Sequence, residues 1–430
     1  MSTRLKLILG VAGVVVVLVV AAGVLALTRK PGDVSHPNVA FQPEPTQTPV
    51  PDVPTPTPGS TKKDPLRNFV WATYGYSQDR RRYLPASTLL RPPFQRVWTL
   101  GGSTLLEFPP AMALGKLFLL KNDGALYAVS KYTGKVVWKR KLGVLAASSP
   151  AYGNGRLFVT LLSRGRNLPG AVFAIDARSG KTLWERRLPA RSESSPVFDN
   201  DRVYFGSENG TIYSVLAGSG QVRWTFKAAG AVKAGLALSN GKLIFGDYSG
   251  RVYAIAQADG HRLWDTGTKG AGFGFSSGQF YSTPAVAFGR VYIGNTDGRM
   301  YSFASSNGKL AWAKKTGGYV YASPAVAQVP GGRPTVFFGS YDGTFYALDA
   351  RSGSVRWTHR DGGKISGSAT VVGSIVYYSN LGKKDTTGLG VNTGKPVFHI
   401  NRGSFNPVIS DGRTIFLTGY SSLYALRPKK

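Results

Sequence analysis

Short runs of alternating apolar and polar residues, cut by Gly, Asn and Asp, fill most of the chain. Residues 195–226 show the pattern. Arg202-Val-Tyr-Phe-Gly206 alternates and is rich in β-branched and aromatic residues, so it predicts a strand. Glu208-Asn-Gly210 predicts a tight turn, because Asn-Gly readily takes positive φ. Thr211–Val215 predicts the next strand, Gly218-Ser-Gly220 the next turn and Gln221–Phe226 a further strand, while Ser195-Pro-Val-Phe198 supplies an earlier one. Four antiparallel strands in about 42 residues make one blade of a β-propeller. No segment of helical length and period intervenes, which argues against an α-solenoid and against a Rossmann-type layer; a parallel β-helix would repeat at about half this length.

The unit recurs. Tryptophans stand at Trp98, Trp138, Trp184, Trp224, Trp264, Trp312 and Trp357, with gaps of 40, 46, 40, 40, 48 and 45 residues, and Phe398 follows 41 residues later. Four residues before each Trp from Trp138 onward is a Gly, and the same holds for Gly394 before Phe398. Small residues ten before (Ala128, Ala174, Ser214, Ala254, Ser302, Ala347), aromatics eleven before and a second Gly fourteen before keep the same register. One aromatic per blade at fixed register is expected to be inter-blade core, so Trp98, Trp138, Trp184, Trp224, Trp264, Trp312, Trp357 and Phe398 are read as structural docking residues and not as a ligand cage.

Seven units close on an aromatic. Pro407 to Leu426 then offers three strand-like pieces and no closing aromatic, but Gln95–Leu100, which holds Trp98, can supply the missing strand. The expectation is an all-β, eight-bladed β-propeller closed by that segment, leaving no free sheet edge; seven blades is the alternative, because the seventh unit is degenerate.

Upstream, Leu7–Leu27 is a run of 21 uncharged, mostly aliphatic residues, long enough as a helix for a hydrocarbon core of about 30 Å. It predicts one N-terminal transmembrane anchor within residues 1–30, with a cleaved signal segment and secretion as the alternative. Arg4 and Lys6 before it nearly balance Arg29 and Lys30 after it, and the α-amine with Asp33 tips the head to the extracytoplasmic side. Residues 31–66 contain ten prolines in 36 and predict a disordered, extended stalk. The domain reading is therefore anchor 1–30, stalk 31–66 and propeller 67–430.

Composition changes the picture at two points. The absence of Cys excludes disulfides, thiolate metal sites, cysteine catalysis and a lipoprotein anchor, and four His leave little room for a His-based site. The net charge is +31, of which +29 belongs to the head. Many cations fall on the outer strands, Lys139, Arg140 and Lys141 among them. Edge protection explains their positions but not the imbalance, so anionic polymers, lipid head groups or acidic envelope proteins are the expected partners. Nucleic acid is disfavoured by the anchor and by aromatics already assigned to the core.

Ala174-Ile-Asp-Ala-Arg-Ser-Gly180-Lys-Thr-Leu-Trp184 and Ala347-Leu-Asp-Ala-Arg-Ser-Gly353-Ser-Val-Arg-Trp357 resemble the tryptophan-docking repeat of pyrroloquinoline-quinone (PQQ)-like propellers. The lead-in Trp71–Arg80 also resembles the segment that precedes such rings. The resemblance covers about residues 67–427. It implies that the Trp packs between blades, and that the chain is either a PQQ- and calcium-dependent dehydrogenase or, like the BamB-like branch, a non-catalytic scaffold.

Asp123, Asp297 and Asp342, the acidic candidates of the catalytic alternative, precede Gly in hairpin turns and are read as turn formers. With no vicinal Cys pair and blades too short to build a cap, the expectation is a membrane-anchored, non-enzymatic binding or assembly scaffold with no cofactor; a polymer- or ligand-sensing domain is a further alternative. One insertion, Lys269–Tyr281, carries Phe273, Phe275, Phe280 and Tyr281 on a Gly-rich segment and reads equally as a partner-binding lip or as a segment folded back over the ring.

Overall fold

Eight antiparallel four-stranded units surround one axis in the computed structural model, which describes residues 32–45, 64–86, 89–165, 169–268, 278–406 and 408–429. Blades 1 to 7 occupy residues 111–141, 151–187, 197–227, 237–267, 285–315, 325–360 and 370–400, each with its four strands in chain order. Blade 8 takes three strands from residues 408–428 and its outer strand from Phe94–Leu100, which pairs antiparallel with Leu423–Pro428. Trp98 thus lies on the closing strand opposite Ala425, and the count is eight.

The first strand of each blade is short and buried and meets the first strands of its neighbours, so these strands line the axis. Second and third strands carry apolar residues on both faces, because each blade is covered on both sides. Outer strands alternate, as in Val222–Lys227, where one set of side chains meets the next blade and the other meets water.

The docking aromatics explain the repeat. Trp184 stands opposite Ala174 of its own blade, and its indole covers Gly220 of the next, with Nε1 donating to the Ala217 carbonyl at 2.9 Å. The same arrangement joins Trp98 to Gly134, Trp138 to Gly180, Trp224 to Gly260, Trp264 to Gly308, Trp312 to Gly353 and Trp357 to Gly394. Gly220 turns at φ +71°, and a Cβ there would lie 2.6 Å from the indole. Both the backbone and the contact therefore require glycine. Phe398 instead meets Phe94 edge-on, with centroids 5.4 Å apart, at the seam between blades 7 and 8.

Residues 70–84 wind round the inside of the ring. Trp71 bridges Met112 of blade 1 through both backbone groups. The Ala72 carbonyl accepts from Tyr152 of blade 2, and Thr73 Oγ1 donates to the Pro196 carbonyl beside blade 3. The carbonyls of Gln78, Asp79, Arg81 and Arg82 then accept from Leu238, Val286, Val326 and Val371 of blades 4 to 7. Tyr83 and Leu84 run parallel to the inner strand of blade 7. Arg80, fully buried, donates to the carbonyls of Leu236, Ser195 and Tyr74. The segment is a strap that touches seven blades in chain order.

The expected stalk differs at both described ends. From Ser35 to Glu44 the chain lies on blades 5 and 6: Gln42 bonds the Phe288 carbonyl, Phe41 stacks on Phe288, and Arg290 donates to the carbonyls of Pro37 and Val39. Glu44 pairs with Arg81 of the strap at 2.5 Å. Asp64 accepts from Tyr132 and Arg413 where blades 1 and 8 meet. The Pro-rich composition missed these anchors because they rest on a few side chains of adequate chemistry and not on a periodic apolar pattern. Residues 46–63 and the expected anchor Leu7–Leu27 lie outside the described residues, and among the described residues no helix is long and apolar enough to cross a membrane.

Candidate functional site

Two registers of the repeat converge on the axis. The first is the residue two before each inner strand: Ser149, Ser195, Gly235, Thr283, Ser323 and Ser368 in blades 2 to 7. Their hydroxyls tie neighbours together, since Ser195 Oγ accepts from the Ser149 N–H at 2.9 Å, Thr283 Oγ1 from Gly235, Ser323 Oγ from Thr283 and Ser368 Oγ from Ser323. Tyr74 of the strap closes on this ring, its hydroxyl 2.8 Å from Ser368 Oγ and 3.0 Å from Asn406 Oδ1.

The second register lies two residues further back, where the repeat stops repeating. It holds Glu107, Glu193 and Lys233 in blades 1, 3 and 4, Tyr281 and Tyr321 in blades 5 and 6, and Ser366 in blade 7. These six line an axial cavity of about 260 Å³, with Tyr74 and Tyr341 also in its wall. One side is charged and the other aromatic: Tyr281 and Tyr321 meet edge-on with centroids 5.8 Å apart, and Tyr321 lies 4.9 Å from Tyr341.

Burial and the neighbouring Glu193 push the Glu107 carboxyl up to about 7. Its nearest side-chain donor is Asn122 Nδ2 at 3.5 Å, and no cation stands within ion-pair distance among the described residues. Glu193 is also raised, by burial, although Lys233 Nζ lies 3.0 Å from its Oε1. Lys233 is shared with Glu208 at 3.0 Å; burial works against its charge, but the two carboxylates hold it above the usual lysine value. Tyr281 is raised well above an ordinary phenol by burial and by the nearby acids, so its hydroxyl stays protonated and able to donate.

Of the insertion read as a lip or as folded back over the ring, Phe273 and Phe275 lie outside the described residues. Phe280 is fully buried beneath Gly246 and meets Tyr301 edge-on, so it is core and not partner surface; the apolar slot left by Gly246 draws it in. Tyr281, next in sequence, points into the axial cavity.

Lys139, Arg140 and Lys141 sit on the outer strand of blade 1. Arg140 does not serve as a free surface charge: its guanidinium bonds the Gly180 carbonyl at 2.9 Å and the Ser179 carbonyl at 3.3 Å, clasping blade 2. Lys141 Nζ donates to the Asp123 carbonyl at 2.6 Å, and Lys139 Nζ lies over the Tyr127 ring, 5.8 Å from its centroid.

Asp123, Asp297 and Asp342 each accept from the backbone N–H two residues on, at Ala125, Arg299 and Thr344, within their turns. Among the described residues no group of three or more His, Asp or Glu side chains is placed to hold a metal ion.

The axial register escaped the sequence reading although a signal was present. Ser149, Ser195, Gly235, Ser323 and Ser368 each fall eleven residues after a docking Trp, three of them before Pro. That column marks the axis, and the variable column two residues earlier marks the wall. Glu107 and Glu193 by themselves belong to no motif.

Comparison with known proteins places the chain. The family described as "Outer membrane protein assembly factor BamB" matches over residues 95–224, 122–329 and 322–430. Among solved structures, BamB from Moraxella catarrhalis aligns with a TM-score of 0.62 at 16% identity, over 79% of this chain and 98% of that one. A europium-containing methanol dehydrogenase aligns with a TM-score of 0.69 at 12% identity, over 84% and 98%. A quinohaemoprotein alcohol dehydrogenase from Pseudomonas putida HK5 gives 0.68 at 12%, over 84% and 80%. At these identities the likeness is one of fold. A search of curated protein sequences finds no match.

Proposed function

The chain belongs to the BamB family of PQQ-like repeat propellers, and on that premise we propose that it is a non-catalytic binding scaffold of the cell envelope, held at the membrane by Leu7–Leu27 with its ring on the extracytoplasmic side. The observation that carries the reading is the axial wall. In this ring it is built of Glu107, Glu193, Lys233 and tyrosines, a set suited to binding. The dehydrogenase alternative needs PQQ, a planar tricarboxylate. Two buried carboxylates, one with no cationic partner among the described residues, oppose such a guest, and a cavity of about 260 Å³ is small for a tricyclic one. These features support the scaffold reading over a quinone site.

The basic head supports a partner with an anionic face, approached through long-range attraction that salt screens within about 10 Å at 0.1 M. Reconstitution of the purified chain with PQQ and calcium, followed by dye reduction over alcohols and sugars, tests the reading. No turnover is expected, and sustained turnover overturns it. Anchoring is tested by protease added to intact spheroplasts: digestion of the ring supports the topology, and protection until lysis refutes it.

A further inference from the structure

We propose that the axial cavity is a binding site for an organic cation, an alkylammonium or guanidinium group of the size of a lysine or arginine side chain. This deepens the scaffold reading and rests on it, by naming the chemistry the ring would recognise.

Three independent features converge. The first is position in the repeat. Four columns are kept blade after blade, whereas the column two residues before the axial hydroxyls changes from Glu to Lys to Tyr to Ser around the ring. A purely structural ring has no need of this variation at its centre, where side chains from six blades meet one space.

The second is charge. In a chain of net charge +31, two of its 22 acidic residues, Glu107 and Glu193, line this one cavity and lie near enough to raise the Glu107 carboxyl. Glu107 has no ion-pair partner among the described residues, so a buried carboxylate is left to be neutralised by a proton or by a guest. The other charged groups around it are Glu193, Lys233, Glu208 and Arg191 on the side of blade 3, with Lys364 at the rim against Tyr341 and Arg82 behind the Tyr74 ring. Lys233 is already held by Glu193 and Glu208 and leaves Glu107 uncompensated.

The third is shape. Tyr281, Tyr321 and Tyr341 form an aromatic wall opposite the carboxylates, and ring faces attract ammonium and guanidinium groups. At about 260 Å³ the space is below the roughly 300 Å³ from which pockets for drug-sized ligands begin, but ample for one side chain. Tyr74 of the strap adds a fourth ring to the wall, its hydroxyl fixed by Ser368 and Asn406.

Because Glu107 titrates near 7 without a guest, cation binding favours its ionised form. Affinity should rise as pH increases from 6 to 8, by about tenfold for a single linked proton. The experiment uses the full chain in detergent and isothermal titration with three probes: a capped lysine tripeptide, its Nε-acetyl counterpart and spermidine. Saturable binding of the lysine peptide or of spermidine, at least tenfold tighter than the acetylated peptide and rising with pH, supports the site. Preference for the peptide identifies a protein side chain as the source of the cation, and preference for spermidine a free polyamine.

Glu107→Gln should flatten the pH dependence and weaken binding tenfold or more, with Tyr321→Ala weakening it without altering the pH slope. Circular dichroism confirms that each variant is folded. Equal affinity for the acetylated peptide, no binding of either cation, or a Glu107→Gln variant with unchanged affinity overturns the proposal. Dye reduction with PQQ is read separately, so the cation site can fail while the scaffold reading stands.

Discussion

The Trp184 indole occupies the space that a side chain on Gly220, in the next blade, would need. Its Nε1 bonds the Ala217 carbonyl three residues before that glycine. The contact links the two strongest columns of the sequence, and it also fixes what a substitution does. Gly220→Ala adds a Cβ at 2.6 Å from the ring and at φ +71°. Strain and overpacking together should cost about 2–4 kcal/mol. Urea unfolding should show a lower midpoint. Gly218→Ala, two residues earlier, where a Cβ meets nothing within 4 Å, serves as the control and should change little.

Arg140 and its neighbours separate structure from surface charge. Lys139→Glu with Lys141→Glu should leave the thermal midpoint within a degree or two, since both side chains are largely exposed, and should reduce binding to anionic vesicles or wall polymers. Arg140→Glu removes two bonds to blade 2 and should lower stability by about 1–2 kcal/mol. Identical thermal shifts for the two changes would contradict the clasp.

Glu107 makes stability depend on pH in a stated direction. Its folded value, about 7, is above the ordinary 4.5, so between these values the folded chain holds a proton that the unfolded chain has lost. Its contribution therefore favours folding less as pH rises through that window, and the cost is fully present above 7. Glu107→Gln should stabilise the ring by on the order of 2 kcal/mol at pH 8 and make little difference at pH 4. Thermal melts of both proteins across that range check the sign.

The docked segment at the start of the expected stalk has its own test. Glu44→Gln weakens the pair with Arg81, and Phe41→Ala removes the stack on Phe288 and the ring beneath Arg290. The double variant should expose residues 35–45 to proteolysis at least several-fold faster while the blades remain resistant. Unchanged cleavage would mean that these contacts do not hold the segment.

Much of this architecture was legible because it repeats. The Trp and Gly columns predict blade boundaries, and the incomplete last unit points to Trp98 as the closing strand. The strap was recognisable only as a lead-in, since it meets each of seven blades through one or two bonds, many of them backbone bonds made by residues such as Gln78 and Arg81 that carry no periodic signature. The site was least legible. Glu107, Glu193 and Tyr281 are far apart in sequence and meet only because each precedes an inner strand. Phe280 shows the converse: an aromatic on a Gly-rich segment reads as exposed, yet a slot beneath Gly246 buries it.

The closing strand makes the ring a clasp. Leu100 pairs with Leu423 and Phe94 with Pro428, so the last blade is completed by two stretches more than three hundred residues apart. Closing such a loop is entropically costly and slow, and the neighbouring blades cannot offset that cost until the strand arrives. During synthesis, residues 94–100 must wait beside a growing, open arc whose final sheet still exposes an edge. An emerging chain that crosses a membrane would spend this interval outside the compartment that made it, which places the demand for a folding helper on the far side. The latch that completes the last sheet of the finished molecule is also the step at which an unfinished one is most open to its neighbours.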